Sequence, residues 1–282
     1  MSAYHVSLLS VIGINVILAV SLNMISGFCG QISLGHAAFY GAGAYAAALV
    51  MIGFGNLPLA LFAGILAGAA LGVLVGFASL RVRSDFLAVT TIGINFLFTG
   101  FVRKQRWLGG EMGISGIPAS GLGAAGNMAM ILLFAAAVVG LSVYISRSWM
   151  GFAFRAVGED EDAAATLGIN AGAYKLAAFG IGTALAGLAG GLYTFFTQFI
   201  TADAFDFIFS VTLMAMVVIG GIGSTGGVVV ATIGLTLLPE AIRFVNDYRL
   251  LMFGGIMVLV IRAAPGGLAA LSRRLVRSAA KP

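Results

Sequence analysis

The chain has 282 residues, of which 60% are hydrophobic and only 9% charged, and its mean hydropathy is +1.07. A soluble domain carries about a quarter charged residues, so this composition excludes a soluble globular protein and describes one held in a bilayer. The formal charge of +5 does not point to nucleic acid, because most basic residues stand at the ends of apolar runs, where lysine and arginine set orientation.

A helical span needs roughly 20 apolar residues, which gives this chain material for about eight to ten. The apolar runs are continuous rather than alternating, so a barrel is excluded. What remains is an all-α polytopic bundle in which each backbone polar group is satisfied inside its own helix. Met1 to His5 has neither a basic stretch nor a small-residue cleavage site, so the first apolar run is expected to stay as a span. In chain order the expected spans are 6–26, 34–52, 57–79, 86–103, 128–146, 176–197, 208–222, 226–240 and 249–263.

Between the first two, residues 27–36 (Gly-Phe-Cys-Gly-Gln-Ile-Ser-Leu-Gly-His) interrupt the apolar pattern. Such a break is a tight turn or a re-entrant segment, and the second is tolerated only inside protein or along a watery path. The single cysteine, Cys29, lies there and excludes an intrachain disulfide or a cysteine metal site. The third span carries Gly64, Gly68, Gly72 and Gly76, one glycine every fourth residue. On a helix these make a smooth groove for close packing, and the same smoothness would let helices slide during gating.

Polar residues inside the spans are few. Asn23, Gln31, Ser33, His36 and Asn95 are the candidates for a solute path, although each can equally serve as an interhelical hydrogen bond. No acid or base lies deep in a span; Glu240 and Arg262 fall at span ends. Ion-coupled transporters keep an intramembrane carboxylate, so its absence implies that energy arrives from elsewhere. Asp203 and Asp206 fall in a short connection, where solvated carboxylates are expected.

No enzyme site is visible. The three lysines, Lys104, Lys175 and Lys281, do not follow a phosphate-loop glycine pattern, and the two histidines lack neighbouring ligands. No nucleophile elbow occurs. No catalytic residue, metal or cofactor is expected.

The one polar island, 147–175, lies between Met112–Ser146 and Leu176–Ala202, both without a charge. Within it, Glu159, Asp160, Glu161 and Asp162 would form the first turn of a short helix, where acids complement the helix dipole. Ala163, Ala164 and Leu167 would propagate it, and Gly168 would stop it. A helix this short is marginal alone and needs a surface to pack on. It is either a solvated loop element or a docking element for a partner in the cytoplasm. With 147–175 inside, nine basic residues (Arg81, Arg83, Arg147, Arg155, Lys175 and four in the 264–282 tail) face five outside. That is the expected positive-inside bias, against which the Arg103–Arg106 cluster stands as a violation.

Asp162-Ala163-Ala164-x-x-x-Gly168 resembles the E-A-A-x-x-x-G core of the cytoplasmic loop in bacterial ABC importer permeases, with Asp in the Glu position. More specific are Leu22-Asn23 through Gly27-Phe-Cys-Gly30-Gln31-Ile-Ser33-Leu-Gly35-His36 and Gly43-Ala44-Tyr45. These are similar to the N-terminal signature of the branched-chain amino acid (LivH/LivM) permease family. Gly109-Gly110-x-x-Gly113 to Pro118, Ala186-Gly187 to Tyr193, and Val218 to Gly227 look like later family segments, the first of them favouring the LivM-like branch.

The resemblance implies the larger, type II importer fold and a permease subunit without enzymatic activity. Its implied partners are a second homologous permease, two cytoplasmic ATP-binding subunits that hydrolyse ATP, and a periplasmic or lipid-anchored solute-binding protein. The implied setting is the lipid of a bacterial inner membrane. By the same resemblance, Arg155, Glu159, Asp160, Asp162, Ala163, Ala164 and Gly168 belong to the coupling element that seats on an ATPase. Branched-chain and related amino acids are the implied solutes. The other readings are a passive channel or secondary transporter for a small solute such as urea, and a ribose-type sugar permease.

Overall fold

The computed structural model describes residues 3–79, 84–241, 249–263 and 266–270. Arg81, Arg83, Arg243 and the basic tail residues therefore lie outside the described residues. All regular elements among those described are helical, with one isolated bridge between Ile114 and Ile200. The helices are α1 (Ala3–Leu22), α2 (His36–Phe54), α3 (Leu57–Ser79), α4 (Ser84–Lys104), α5 (Gly123–Arg147), α6 (Trp149–Glu159), α7 (Glu161–Thr166), α8 (Ala171–Thr197), α9 (Phe207–Gly220), α10 (Thr225–Ala241) and α11 (Arg249–Ala263). Among the described residues, seven helical segments are long and apolar enough to cross a membrane. The shorter α10 and α11 occupy the eighth and ninth expected spans.

Two expectations need correction. The island does not run to Lys175, because α8 already starts at Ala171, with the Asn170 side chain capping the Ala173 N–H at 3.1 Å. Lys175 sits in its second turn and pairs with Glu161, so a polar residue marked the helix interior rather than its end. The island also contains an eleven-residue helix, α6, ahead of the acidic one.

α1 lies at the centre of the bundle. From Ile12 to Leu22 every residue is buried, and the helix is apolar on all sides because it is surrounded by α5, α8, α9 and α10 rather than by lipid. The opposite case is α4 and α5, whose Phe96, Leu97 and Leu133 are at least 60% exposed, as hydrocarbon-facing side chains are.

The tightest contact joins α2, α3 and α8. A Cβ placed on Gly64 would lie 3.0 Å from the Gly187 carbonyl oxygen, and one on Gly68 would lie 2.8 Å from Gly187 Cα. One on Gly72 would overlap the Thr183 side chain, and one on Gly76 would lie 3.2 Å from Phe179 Cβ. The glycine stripe thus faces α8 along its length, and the two backbones touch. In lipid, helices gain little from apolar burial against each other, so this close dispersion contact is what holds them together.

The bundle has two ends. One carries α6 and α7 and is called here the loop end. The other carries the Arg103–Asp203 ion pair, which joins the end of α4 to the short Ala202–Phe205 turn. This pairing gives Arg103, one member of the cluster that ran against the positive-inside bias, a countercharge in Asp203, although both side chains stay mostly exposed. Asp206 also has a role, accepting the Phe209 N–H at 2.8 Å as the N-cap of α9.

Candidate functional site

Two structures carry the sequence-derived candidates: the loop end, and a seam where α1 breaks before α2.

At the loop end the acidic run divides. Glu159 is the last residue of α6, not a first-turn residue of the following helix. Asp160 is extended and caps α7, its Oδ1 accepting from the N–H of Asp162 at 2.9 Å and of Ala163 at 3.0 Å. Only Glu161 and Asp162 stand in the first turn beside the dipole's positive end. Gly168 (φ +80) closes the helix: its N–H bonds the Ala165 carbonyl, and the next N–H, of Ile169, reaches back to Ala164. A left-handed residue after the last turn satisfies two orphan carbonyls in this way. The result is a six-residue helix capped at one end by Asp160 and closed at the other by Gly168.

Ala164 is the buried face of α7, and it joins Met24, Phe28, Cys29, Phe154 and Val157 in a small cluster separate from the main core. The coupling candidates therefore rest on the end of α1. Gly158 of α6 meets the chain at Cys29–Gly30 with no room for a side chain: a Cβ there would lie 3.0 Å from the Cys29 carbonyl carbon. Arg155 turns back on its own segment, donating to the Ser146 carbonyl at 3.1 Å and lying over the Phe152 ring at 4.8 Å. Asp162, Ala163 and Gly168 point to solvent, as do the large apolar side chains Trp149, Phe152 and Leu167, the last 77% exposed. α6 was missed in the sequence because its buried positions, Ala153, Phe154 and Val157, form only one short stripe; their spacing was the available signal.

The seam begins where α1 widens into a π-helical turn, Asn23–Phe28. π-turns insert one residue and loosen a helix locally. The chain then runs back, non-helical and largely buried, from Cys29 to Gly35, before α2 starts at His36. His36 Nε2 meets Ser21 Oγ at 2.7 Å. Ser21 is seven residues before Phe28, so α2 starts roughly 10 Å inside the bundle at 1.5 Å per residue. The segment is re-entrant, with Cys29, Gln31, Ser33 and Gly35 buried and Gly30 and Ile32 exposed.

Backbone outside a helix needs partners at this depth, and neighbouring side chains supply them. Ser26 Oγ donates to the Gln31 carbonyl at 2.9 Å, Thr91 Oγ1 accepts the Leu34 N–H at 3.0 Å, and Ser210 Oγ accepts the Ala37 N–H at 2.9 Å. Gln31 Nε2 donates to the Lys175 carbonyl at 3.1 Å, tying the seam to α8. Asn23 Oδ1 accepts the Gly223 N–H at 2.9 Å, and Asn95 Nδ2 donates to the Phe205 carbonyl at 3.2 Å.

Four of the five path candidates, Asn23, Gln31, His36 and Asn95, thus bond to another element through their side chains, whereas Ser33 takes part only through its N–H, which reaches Ser26 Oγ at 3.4 Å. Yet Asn23 Nδ2, Ser33 Oγ, His36 Nδ1 and Asn95 Oδ1 are sealed from solvent with no partner among the described residues. Each is a polar atom left in reserve, an arrangement that costs stability and calls for an explanation.

A family model described as "Branched-chain amino acid transport system / permease component" matches residues 4–261. The chain is 34% identical to the high-affinity branched-chain amino acid transport system permease protein LivM of Escherichia coli K12, over 95% of this chain and 71% of that protein. It is similarly 34% identical to LivM of Salmonella typhimurium, over 92% and 68%. To the permease protein BraD of Pseudomonas aeruginosa it is 27% identical, over 89% and 90%. No solved structure matches.

Proposed function

The chain belongs to the family of branched-chain amino acid transport system permease components, and we propose that it forms one half of the translocation path of an importer for branched-chain or related amino acids. It is a multi-pass membrane protein and a permease subunit of an ABC importer. The proposed assembly pairs it with a second homologous permease in a bacterial inner membrane. Two cytoplasmic ATP-binding subunits hydrolyse ATP, and a periplasmic or lipid-anchored binding protein delivers the solute. The loop end faces the cytoplasm in this reading.

The observation that supports it most directly is α7: a helix too short to stand alone, locked by Asp160 and Gly168, and presenting Leu167 outward. Such an element suits a groove on a partner. Its inner side, through Ala164, rests on the π-turn of α1. A push on α7 when the ATPases close would reach Met24, Phe28 and Cys29 first, and through them the re-entrant segment. The unpaired groups of Asn23, Ser33, His36 and Asn95 become useful when that segment shifts, offering hydrogen bonds to a passing solute. The chain holds no carboxylate in the path, so proton or sodium coupling has no obvious carrier.

The test is mild-detergent affinity purification from native membranes, followed by mass spectrometry and reconstitution with Gly168→Arg. Recovery of a second permease and an ATPase, with ATP-driven uptake abolished by the substitution, is the expected result. Recovery of this chain alone, with solute flux intact after Gly168→Arg, would overturn the proposal in favour of a channel.

A further inference from the structure

A cavity of about 270 Å³ lies between α1, α2, α8 and the first turn of α9. It sits beside the seam, on the side away from the loop end. Tyr40 is one turn beyond His36 on α2, and Asn15 is six residues before Ser21 on α1. Asn15 lies twelve residues from Ala3 and thirteen from Phe28, at the middle of α1 and roughly 18–20 Å from each end.

Val11, Ile14, Ala204 and Phe209 make the apolar part of the wall. Tyr40 and Tyr193 complete it with their rings and bring two hydroxyls that have no hydrogen-bond partner among the described residues. Asn15 uses its Nδ2 on Thr236 at 3.2 Å, leaving Oδ1 unengaged. Among the described residues, no charged side chain lines the space.

The wall is built from packed rings. Tyr40 stacks on Phe209 at 5.6 Å, meets the fully buried Phe205 edge-on at 4.9 Å, and touches Tyr193 at 5.5 Å. Aromatic pairs in such geometry contribute about 0.5–1.5 kcal/mol each beyond their area burial, so these contacts support the wall.

Pockets for drug-sized ligands start near 300 Å³, which makes this one fit for a solute of amino-acid size. A lipid chain would fill the apolar part but leave three hydrogen-bonding groups unpaired in hydrocarbon, which is costly. An ion would find no countercharge. A small molecule with an aliphatic body and a polar end satisfies both halves of the wall.

We infer that this cavity is a waypoint of the translocation path, receiving the aliphatic side chain of the solute while Tyr40, Tyr193 and Asn15 meet its polar end. The inference rests on the importer reading above and gives that reading a place where solute size is sensed. An uncharged chamber holds its cargo loosely, as a site that must release in every cycle requires.

Two measurements test it in the full complex, reconstituted with its ATPases and binding protein. The first uses Ala204→Leu, which extends an isobutyl group toward the chamber. Uptake of labelled L-leucine should fall about tenfold or more relative to uptake of L-alanine, in line with what a few methylenes do to pocket selectivity. Tyr193→Phe, which keeps the ring, should slow both solutes severalfold. An unchanged leucine-to-alanine ratio in Ala204→Leu, with the complex still assembled, overturns the waypoint. The second measurement needs no transport. In a Cys29→Ser background, Ile14→Cys should react with a water-soluble maleimide at least tenfold faster than Leu133→Cys on the exposed face of α5, and Ala204→Leu should block it. Equal or slower labelling at position 14 places the cavity outside the aqueous path and overturns the inference. A wild-type complex that assembles but moves neither amino acid counts against the importer reading instead, and the labelling result then decides the cavity by itself.

Discussion

Replacing Gly68 with alanine tests whether the α3–α8 contact is set by backbone touching backbone. A Cβ at this position would lie 2.8 Å from Gly187 Cα and overlap the Thr183 carbonyl. Carbon atoms in good contact are about 3.5–4.0 Å apart, so the helices must part by roughly 1 Å. A gap of that size forfeits up to about half of each contact's dispersion well, and overpacking of this kind costs about 1–3 kcal/mol. Alanine returns up to about 1 kcal/mol over glycine in a helix. With the full alanine gain the balance is a loss of up to about 2 kcal/mol, or up to roughly 8 °C in the thermal midpoint of the purified protein at about 2–4 °C per kcal/mol. Gly100→Ala on α4 is the control, because nothing lies within 4 Å of its added Cβ. It should keep or slightly raise the midpoint. The exchange Gly72→Ala with Thr183→Gly moves bulk from one helix to the other and should recover most of what Gly72→Ala loses alone. A Gly68→Ala protein as stable as Gly100→Ala would refute the packing argument.

Asp160→Ala removes the acceptor for two N–H groups of α7 and should cost that helix about 1 kcal/mol. ATP-driven uptake at matched expression should fall, and Asp160→Ser should restore most of it; equal uptake by the alanine variant would show that α7 does not need its cap. Gly168 has φ +80 but no neighbour within 4 Å, so only backbone conformation restricts it. Gly168→Asn, which tolerates the left-handed region, should transport far better than Gly168→Leu, whose penalty is about 1–2 kcal/mol; the reverse order would mean that side-chain bulk matters instead. Burial raises the Cys29 thiol to about 11, with the Gln31 hydrogen bond opposing it. A free thiol titrates at about 8.5, so maleimide labelling of native membranes at pH 8 should be slow and should keep rising about tenfold per pH unit to pH 9.5. A plateau near pH 9 would show an unburied thiol. In a Cys29→Ser background, Leu167→Cys and Trp107→Cys should label from opposite sides of the membrane, cytoplasmic and external respectively; labelling from one side would break the topology.

Much of the loop end was legible because its chemistry is local. A cluster of acids, a short alanine run and a left-handed glycine act within ten residues, so α7 could be read up to Gly168, with errors at Glu159, which ends α6, and at Asp160, which is the cap rather than a first-turn residue. The spans were legible for a similar reason. Whether a stretch such as 57–79 prefers lipid depends on its own side chains, and charges mark the ends of spans, as Arg103 does for 86–103. The re-entrant segment was visible as an interruption at 27–36, but not its course, since the hydroxyls that satisfy it come from Ser26, Thr91 and Ser210 on three different helices.

What only the tertiary structure decided is which faces meet. The Gly64–Gly76 stripe announced close packing but not that Thr183 and Gly187 of α8 would fill it. Arg103 looked misplaced until Asp203, a hundred residues later, was beside it. The chamber of Asn15, Tyr40 and Tyr193 joins residues that no spacing connects, each unremarkable in its own helix. Membership of the bilayer is a sum over residues and can be read along the chain. Helix pairing in lipid has no comparable apolar drive and is settled by complementary surfaces, which exist only once the helices stand side by side.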